Sequence, residues 1–315
     1  MSNFIFSVNA TIPLFLIIAL GFFLRKIKMF NESFLSVADK FVFKVALPLM
    51  LFKDISSMDL RQEFDIKFIL FCMLATTAMF LIPWVLSMIF MKDKSKVGAF
   101  AQGCSRGSAA VLGIALVENI YGDAGQAPMM ILAAVPLFNI YSVIILTFGS
   151  SENKEKGKKL ILKLLKGIVT NPIILGIFCG FPFALFQFEL PVILNKAVIS
   201  VAATATPVAL LSIGGAFNFK DATAKLKPAV VASVVKLLAL PAVFLPIAIS
   251  LGIKNDQLVA VLIMLASSAT PSGYIMSKNM HNDHVLSSNI IVLTTLFSCI
   301  TLTFWVWLLK TTGNI

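Results

Sequence analysis

The stretch ASSATPSGYIMSK, Ala266–Lys278, interrupts an otherwise apolar run with Ser267, Ser268, Thr270, Pro271, Ser272 and Gly273. Proline removes a backbone donor, and glycine takes angles that other residues avoid. In lipid every freed backbone group needs a partner in protein or cavity water. The stretch therefore predicts a helix broken within the membrane, with hydroxyls at hand for the loose ends. A break also exposes a half-helix N-terminus, whose free N–H groups and partial positive charge suit a carboxylate. The competing explanation is a plain packing face, because small side chains let membrane helices approach closely.

The surroundings fix the solvent. Of 315 residues, 58% are hydrophobic and only 13% charged, with mean hydropathy +0.94, against roughly 25% charged in a soluble domain. At about 20 apolar residues per crossing, the chain has room for ten spans. They are expected near 4–24, 34–54, 67–91, 97–121, 126–148, 167–187, 192–214, 228–250, 257–278 and 285–309. The first run has no basic residue before it, and Arg25, Lys26 and Lys28 follow it. A signal peptide has the reverse order, so this run is expected to be the first transmembrane helix.

Charge sets the orientation. One set of loops carries Arg25, Lys26, Lys28, Lys92, Lys94, Lys96, Lys154, Lys156, Lys158, Lys159, Lys163, Lys166, Lys220, Lys225, Lys227 and Lys278. The other carries Lys53, Arg61, Lys67, Lys196, Lys254 and Lys310. The positive-inside rule then puts both termini outside a cell membrane, inner or plasma. The net charge of +11 reflects this orientation and contact with the lipid bilayer, and not nucleic-acid binding.

An internal repeat is visible. TIPLFLIIALGF (Thr11–Phe22) aligns with TNPIILGIFCGF (Thr170–Phe181), ALPLMLF around Pro48 with ATPVALL around Pro207, and ENIYGDA (Glu118–Ala124) with KNMHNDH (Lys278–His284). The offset is 159 or 160 throughout. Residues 1–150 and 151–315 are thus expected to be two five-span copies, the second upside down because five is odd. Secondary transporters with this plan bind substrate where broken helices meet.

In the repeat register the opening stretch faces GCSRGSAAVLG, Gly103–Gly113, with Ser108 on Ser268 and Gly113 on Gly273. Both segments are expected to break. Hydroxyls of Ser105, Ser108, Ser267, Ser268, Thr270 and Ser272 are expected to serve the freed backbone. Charges inside spans are costly and mark function by default. They are Asp39, Lys44, Arg106 and Lys236. Arg106 follows Lys96 by ten positions, or ~15 Å of helix, and is the candidate for holding an anion. It could instead pair with a carboxylate or with half-helix carbonyls to hold the fold. Lys236 could pair with Asp39 or stand in for a coupling cation. Asn139, beside Pro136, is expected to hydrogen-bond across helices near the site. Cys72, Cys104, Cys179 and Cys299 are expected to be small packing residues, and His281 and His284 solvated residues of a short loop.

VALPLMLF (Val45–Phe52), SRGSAAVLGIALVENIYG (Ser105–Gly122), PLFNIYSVIIL (Pro136–Leu146), ATPSGYIMSK and NIIVLTTLFSCIT (Asn289–Thr301) together resemble the auxin efflux carrier family over nearly the whole chain. That family includes plant auxin carriers and bacterial permeases proposed for malate and malonate. The resemblance implies ten helices in two inverted five-helix repeats, similar to bile-acid symporters and sodium–proton antiporters, with helices 4 and 9 unwound and crossing at the substrate site. The implied site comprises Ser105, Arg106, Gly107, Ser108, Gly113, Asn139, Thr270, Pro271, Ser272, Gly273 and Tyr274, and a homodimer is an expectation of the same kind. Two positions depart from the family pattern. Ser108 stands where Asn usually follows Arg-Gly, and Ala115 where Pro is common, so the first break would rest on Gly107 and Gly113.

The expected function is secondary transport of a small organic anion, a mono- or dicarboxylate, without a cofactor beyond a coupling proton or sodium ion. A sodium or proton antiporter on the same plan and a non-transporting membrane sensor are the alternatives. No GxxxxGK[ST] pattern and no nucleophile–base constellation occurs, so neither direct ATP use nor an enzyme is expected.

Overall fold

The computed structural model describes residues 2–57, 65–150, 162 and 165–315. Helices cover every expected apolar run. They are α1 (Ser2–Lys26), α2 (Glu32–Phe41), α3 (Leu47–Ser56), α4 (Ile66–Phe90), α5 (Val97–Ser105), α6 (Ala109–Tyr121), α7 (Ala127–Gly149) and α8 (Pro172–Phe186). The second half adds α9 (Val192–Ala202), α10 (Ala205–Ala216), α11 (Phe219–Ala224), α12 (Leu226–Val234), α13 (Leu240–Ser250), α14 (Asn255–Ala266), α15 (Pro271–Asn279) and α16 (His284–Thr311). Helix starts follow their cap residues. Asn31, Asp65, Asn171 and Asp283 each accept backbone N–H groups of the turn that follows, which satisfies donors that the helix leaves free.

Five helical runs among the described residues are long and apolar enough to cross a bilayer: Ile66–Phe90, Ala127–Gly149, Val192–Ala216, Leu226–Ser250 and His284–Thr311. Their outward faces are as greasy as the core, with Phe90 76% and Ile193 83% exposed. Apolar surface on that scale belongs against lipid. The molecule is a multi-pass, all-α membrane protein.

Two helical stretches owe their shape to proline. Residues Val42–Ala46, between α2 and α3, and Val235–Ala239, between α12 and α13, form π-turns. Pro48 and Pro241 lie just beyond them. A proline ring clashes with the carbonyl four residues back. The backbone widens instead, and the N–H of Leu47 reaches Val42 while that of Leu240 reaches Val235. The carbonyl of Leu237 accepts the indole N–H of Trp305 on α16 at 3.0 Å. The run Val192–Ala216 is interrupted at Ala203–Thr204, an irregularity that the apolar pattern does not foretell.

The helices form two groups, which meet where α1 packs on α16 and α10 on α15. α1 packs along α10 and α3 along α8. Here glycine lets the backbones touch. A methyl group on Gly21 or Gly214 would strike the α10 or α1 backbone, and one on Gly176 or Gly180 that of α3. In the second group α4 packs on α5 and α7, α6 on α14, and α12 and α15 on α16.

Several expectations need correcting. Cys72 and Cys104 are buried, but Cys179 is exposed and Cys299 partly so, so only two of the four cysteines are packing residues. His281 is exposed, but His284 begins α16 half-buried, its ring 6.0 Å edge-on from Tyr274. Lys278 is not a loop residue. It lies in the last turn of α15, with Nζ 2.5 Å from Oδ2 of Asp39. A second pair, Lys225–Asp283, at 2.5 Å, ties the start of α12 to α16. In the turn before α5, the Ser95 hydroxyl (2.6 Å) and Lys96 (2.9 Å) hold the Asp93 carboxyl down to about 2. Arg61, the SENKEKGKK stretch with Lys154, Lys156, Lys158 and Lys159, and Lys163 lie outside the described residues.

Candidate functional site

Both polar segments break. α5 stops at Ser105 and α6 begins at Ala109; α14 stops at Ala266 and α15 begins at Pro271. The extended residues between them pair. Gly107 and Ala269 form an antiparallel bridge, and the Ser108 N–H donates to the Ser268 carbonyl at 3.0 Å. The hydroxyls act less on the backbone than expected. The Ala269 N–H is met by Thr294 Oγ1 of α16 at 3.0 Å, a partner that no motif announces. Ser105 turns away, and its hydroxyl donates to carbonyls of Met79 and Ala101. The first break rests on Gly107 alone, because Gly113 lies inside α6 against Met130.

Arg106 is buried at the crossing. Its Nε donates to Thr270 Oγ1 (3.0 Å), Nη1 to Ser142 Oγ (3.2 Å), and Nη2 to Asn139 Oδ1 (2.7 Å) and Ser272 Oγ (3.0 Å). All four partners are neutral. A guanidinium carries five N–H donors, so one on Nη1 is left over. No described carboxylate lies within ion-pair distance of Arg106, and the structural role of pairing with one does not apply. Asn139 makes the expected cross-helix bond while its amide donates to Val135 O at 2.9 Å. Ser142 carries no motif of its own; its signal in the sequence is position, because residues three apart share a helix face and Asn139 is a candidate.

Beside the guanidinium lies a cavity of about 140 Å³, walled by α1, α3 and α10 on one side and by both breaks and α7 on the other. Arg106, Gly107, Ser108, Asn139, Thr270, Pro271 and Ser272 line it. Leu47, Met50, Phe138 and Thr206 supply further wall, and Asp54 reaches it beside Lys53 at 3.2 Å. The N-termini of α6 and α15 open onto this space, since Ser108, Ala109, Thr270 and Pro271 all line it. The space brings together one fixed cation, two helix ends, hydroxyls and the Asp54 carboxyl in a mostly apolar shell, groups of which the first three can hold an anion.

Ser105, Gly113, Gly273 and Tyr274 do not line the cavity. Tyr274 is buried behind α15, where its hydroxyl accepts from Lys278 at 3.2 Å. Lys44 sits exposed on its π-turn and joins neither the cavity nor an ion pair among the described residues. Lys236 does not meet Asp39. Its Nζ donates to the carbonyls of Ser105 (2.9 Å) and Leu265 (3.2 Å), while Asp39 is held by Lys278. Among the described residues no cluster of three or more His, Cys, Asp or Glu side chains is placed to hold a metal ion.

Broken, paired helices around a buried cation define a class of multi-pass membrane transporter. The chain belongs to the membrane transport protein family, the family of the auxin efflux carriers, whose model matches residues 6–306. This is a family of transporters and not of enzymes. The chain is 24% identical over 307 residues to a protein of Rhizobium meliloti (strain 1021) named "Putative malonate transporter", covering 95% of this chain and 94% of that protein. It is 19% identical over 303 residues to an uncharacterized transporter of Methanocaldococcus jannaschii, covering 93% and 96%.

Proposed function

We propose that this secondary transporter carries a small mono- or dicarboxylate, of malonate or malate size, by alternating access. The observation that carries the reading is Arg106, a buried guanidinium facing a cavity, held by four neutral partners and with no described carboxylate in ion-pair distance; the one acid on the cavity wall, Asp54, is paired with Lys53. A cavity of similar size, about 150 Å³ in an engineered core, admits benzene, so a three- or four-carbon diacid is in range. The relative named for malonate transport agrees with that class. The two cations at the breaks, Arg106 and Lys236, suit an anionic cargo better than cation exchange.

The architecture we infer is ten spans in two inverted repeats, residues 1–150 and 151–315, with both termini outside. Packing supports the repeat. Gly21 and Gly180 are equivalent in it, and each lets its helix touch one of the Pro-containing helices α10 and α3, which are themselves equivalent. The two breaks also coincide in the repeat register. Movement of one helix group against the other would open the cavity alternately to each side.

Proteoliposomes loaded with labelled malonate, malate or indole acetate, under imposed proton or sodium gradients, test the function. Saturable carboxylate flux is expected. Losing a buried, hydrogen-bonded charge partner costs ~2–5 kcal/mol, so Arg106→Ala should lower uptake ~30-fold or more at subsaturating substrate while the protein still folds. Undiminished uptake by that variant would remove Arg106 from the site.

A further inference from the structure

The same crossing holds a second cation, with the opposite surroundings. Lys236 is fully buried. Its ammonium donates to the carbonyl of the last residue of α5, Ser105, and to that of the penultimate residue of α14, Leu265. These are the negative ends of two helix dipoles, which favour a cation. Gly107 closes the space so tightly that a methyl group there would meet both Lys236 Nζ and Ser267 Oγ. That Ser267 hydroxyl is buried and has no hydrogen-bond partner among the described residues. Two carbonyl oxygens thus hold a single nitrogen, and one unused hydroxyl oxygen stands beside the same glycine. Oxygen donors of this kind coordinate hard cations, and in transporters with broken helices the half-helix C-termini coordinate the coupling ion.

We propose that Lys236 is a tethered cation: its ammonium permanently occupies the position where a free coupling ion would bind, so this chain moves its anion without sodium. The proposal rests on the transporter reading above. Lys236 reaches the position because the π-turn Val235–Ala239, widened ahead of Pro241, presents it toward the breaks. Its role is to position the two half-helices, so that Ser108 and Thr270 keep their places beside Arg106, and it need not touch the substrate.

Truncating the tether should uncover a cation site. Purified full-length wild type, Lys236→Ala and Lys236→Met are melted in detergent at constant ionic strength, in choline chloride, sodium chloride or methylammonium chloride, with no carboxylate present. Lys236→Ala should gain a saturable rise of ~2 °C or more with methylammonium or sodium. Wild type and Lys236→Met, whose side chains fill the space, should not respond. The alanine variant reconstituted in vesicles should also recover uptake in those cations relative to choline. A folded Lys236→Ala whose melting is the same in all three salts overturns the proposal and leaves the Arg106 reading intact, because no anion enters the measurement. Should the alanine variant fail to fold, wild-type vesicles decide. Equal carboxylate uptake in sodium and choline supports the tethered cation, and uptake lost without sodium overturns it.

Discussion

Thr294 shows how much a single hydroxyl carries at the helix crossing. It is the partner of the Ala269 N–H, and a buried donor left unmet costs about 1–3 kcal/mol. Thr294→Val should lower the melting temperature in detergent accordingly, and Thr294→Ser should retain it. Around Arg106 the effect should appear in affinity. Ser142→Ala removes one of four acceptors and should raise the substrate concentration for half-maximal uptake ~10-fold or more, since a hydrogen bond to a charged group contributes ~1.5–3 kcal/mol. Maximal uptake should stay within about twofold. Arg106 and Asn139 were legible in the sequence because charge and amide are conspicuous among apolar residues. The partners of Lys236 were not, because a backbone carbonyl has no residue type to betray it. Asp39 looked like its natural mate only because it is the one acid among the four charges placed inside spans. The fold gave that acid to Lys278 instead.

At the scale of elements, the breaks were readable and the bulges were not. Proline, glycine and clustered hydroxyls inside an apolar run leave few alternatives to an interruption. Pro48 and Pro241 carry no such neighbours, and a proline in a helix permits a kink or a widened turn equally well. The structure takes the widened turn at both. Pro241→Ala removes the clash that sustains the second one. If the helix rewinds, Lys236 turns by roughly 100° about the axis and leaves the Ser105 and Leu265 carbonyls. Stranding a buried charge costs about 3–5 kcal/mol, so vesicle uptake should fall more than ~10-fold. Trp305→Phe, which only frees the Leu237 carbonyl, should be far milder.

Across the whole molecule, the multi-pass helical character was legible from hydropathy and the pairing of α1 with α10 was not. Glycine-mediated backbone contact leaves the same composition as any membrane helix. The inferred orientation has a direct check. In a chain lacking its own four cysteines, single cysteines replacing Lys254 and Lys310 should react with a membrane-impermeant maleimide added to intact cells. Cysteines replacing Lys92 and Lys220 should react only after permeabilisation. A thiol at Thr206, on the cavity wall, should label more slowly when malonate is present.

Every tie on Arg106 comes from α7 or the start of α15. Apart from Asp54, which pairs with Lys53, and Thr206, the opposing wall is leucine, methionine and alanine. Under the proposed function, the grip on a charged passenger would belong to one partner alone, with the other a lubricated track. As the two slid, the passenger would travel with its handhold and not be passed between them. Its release would then come from water reaching the guanidinium at the end of the stroke.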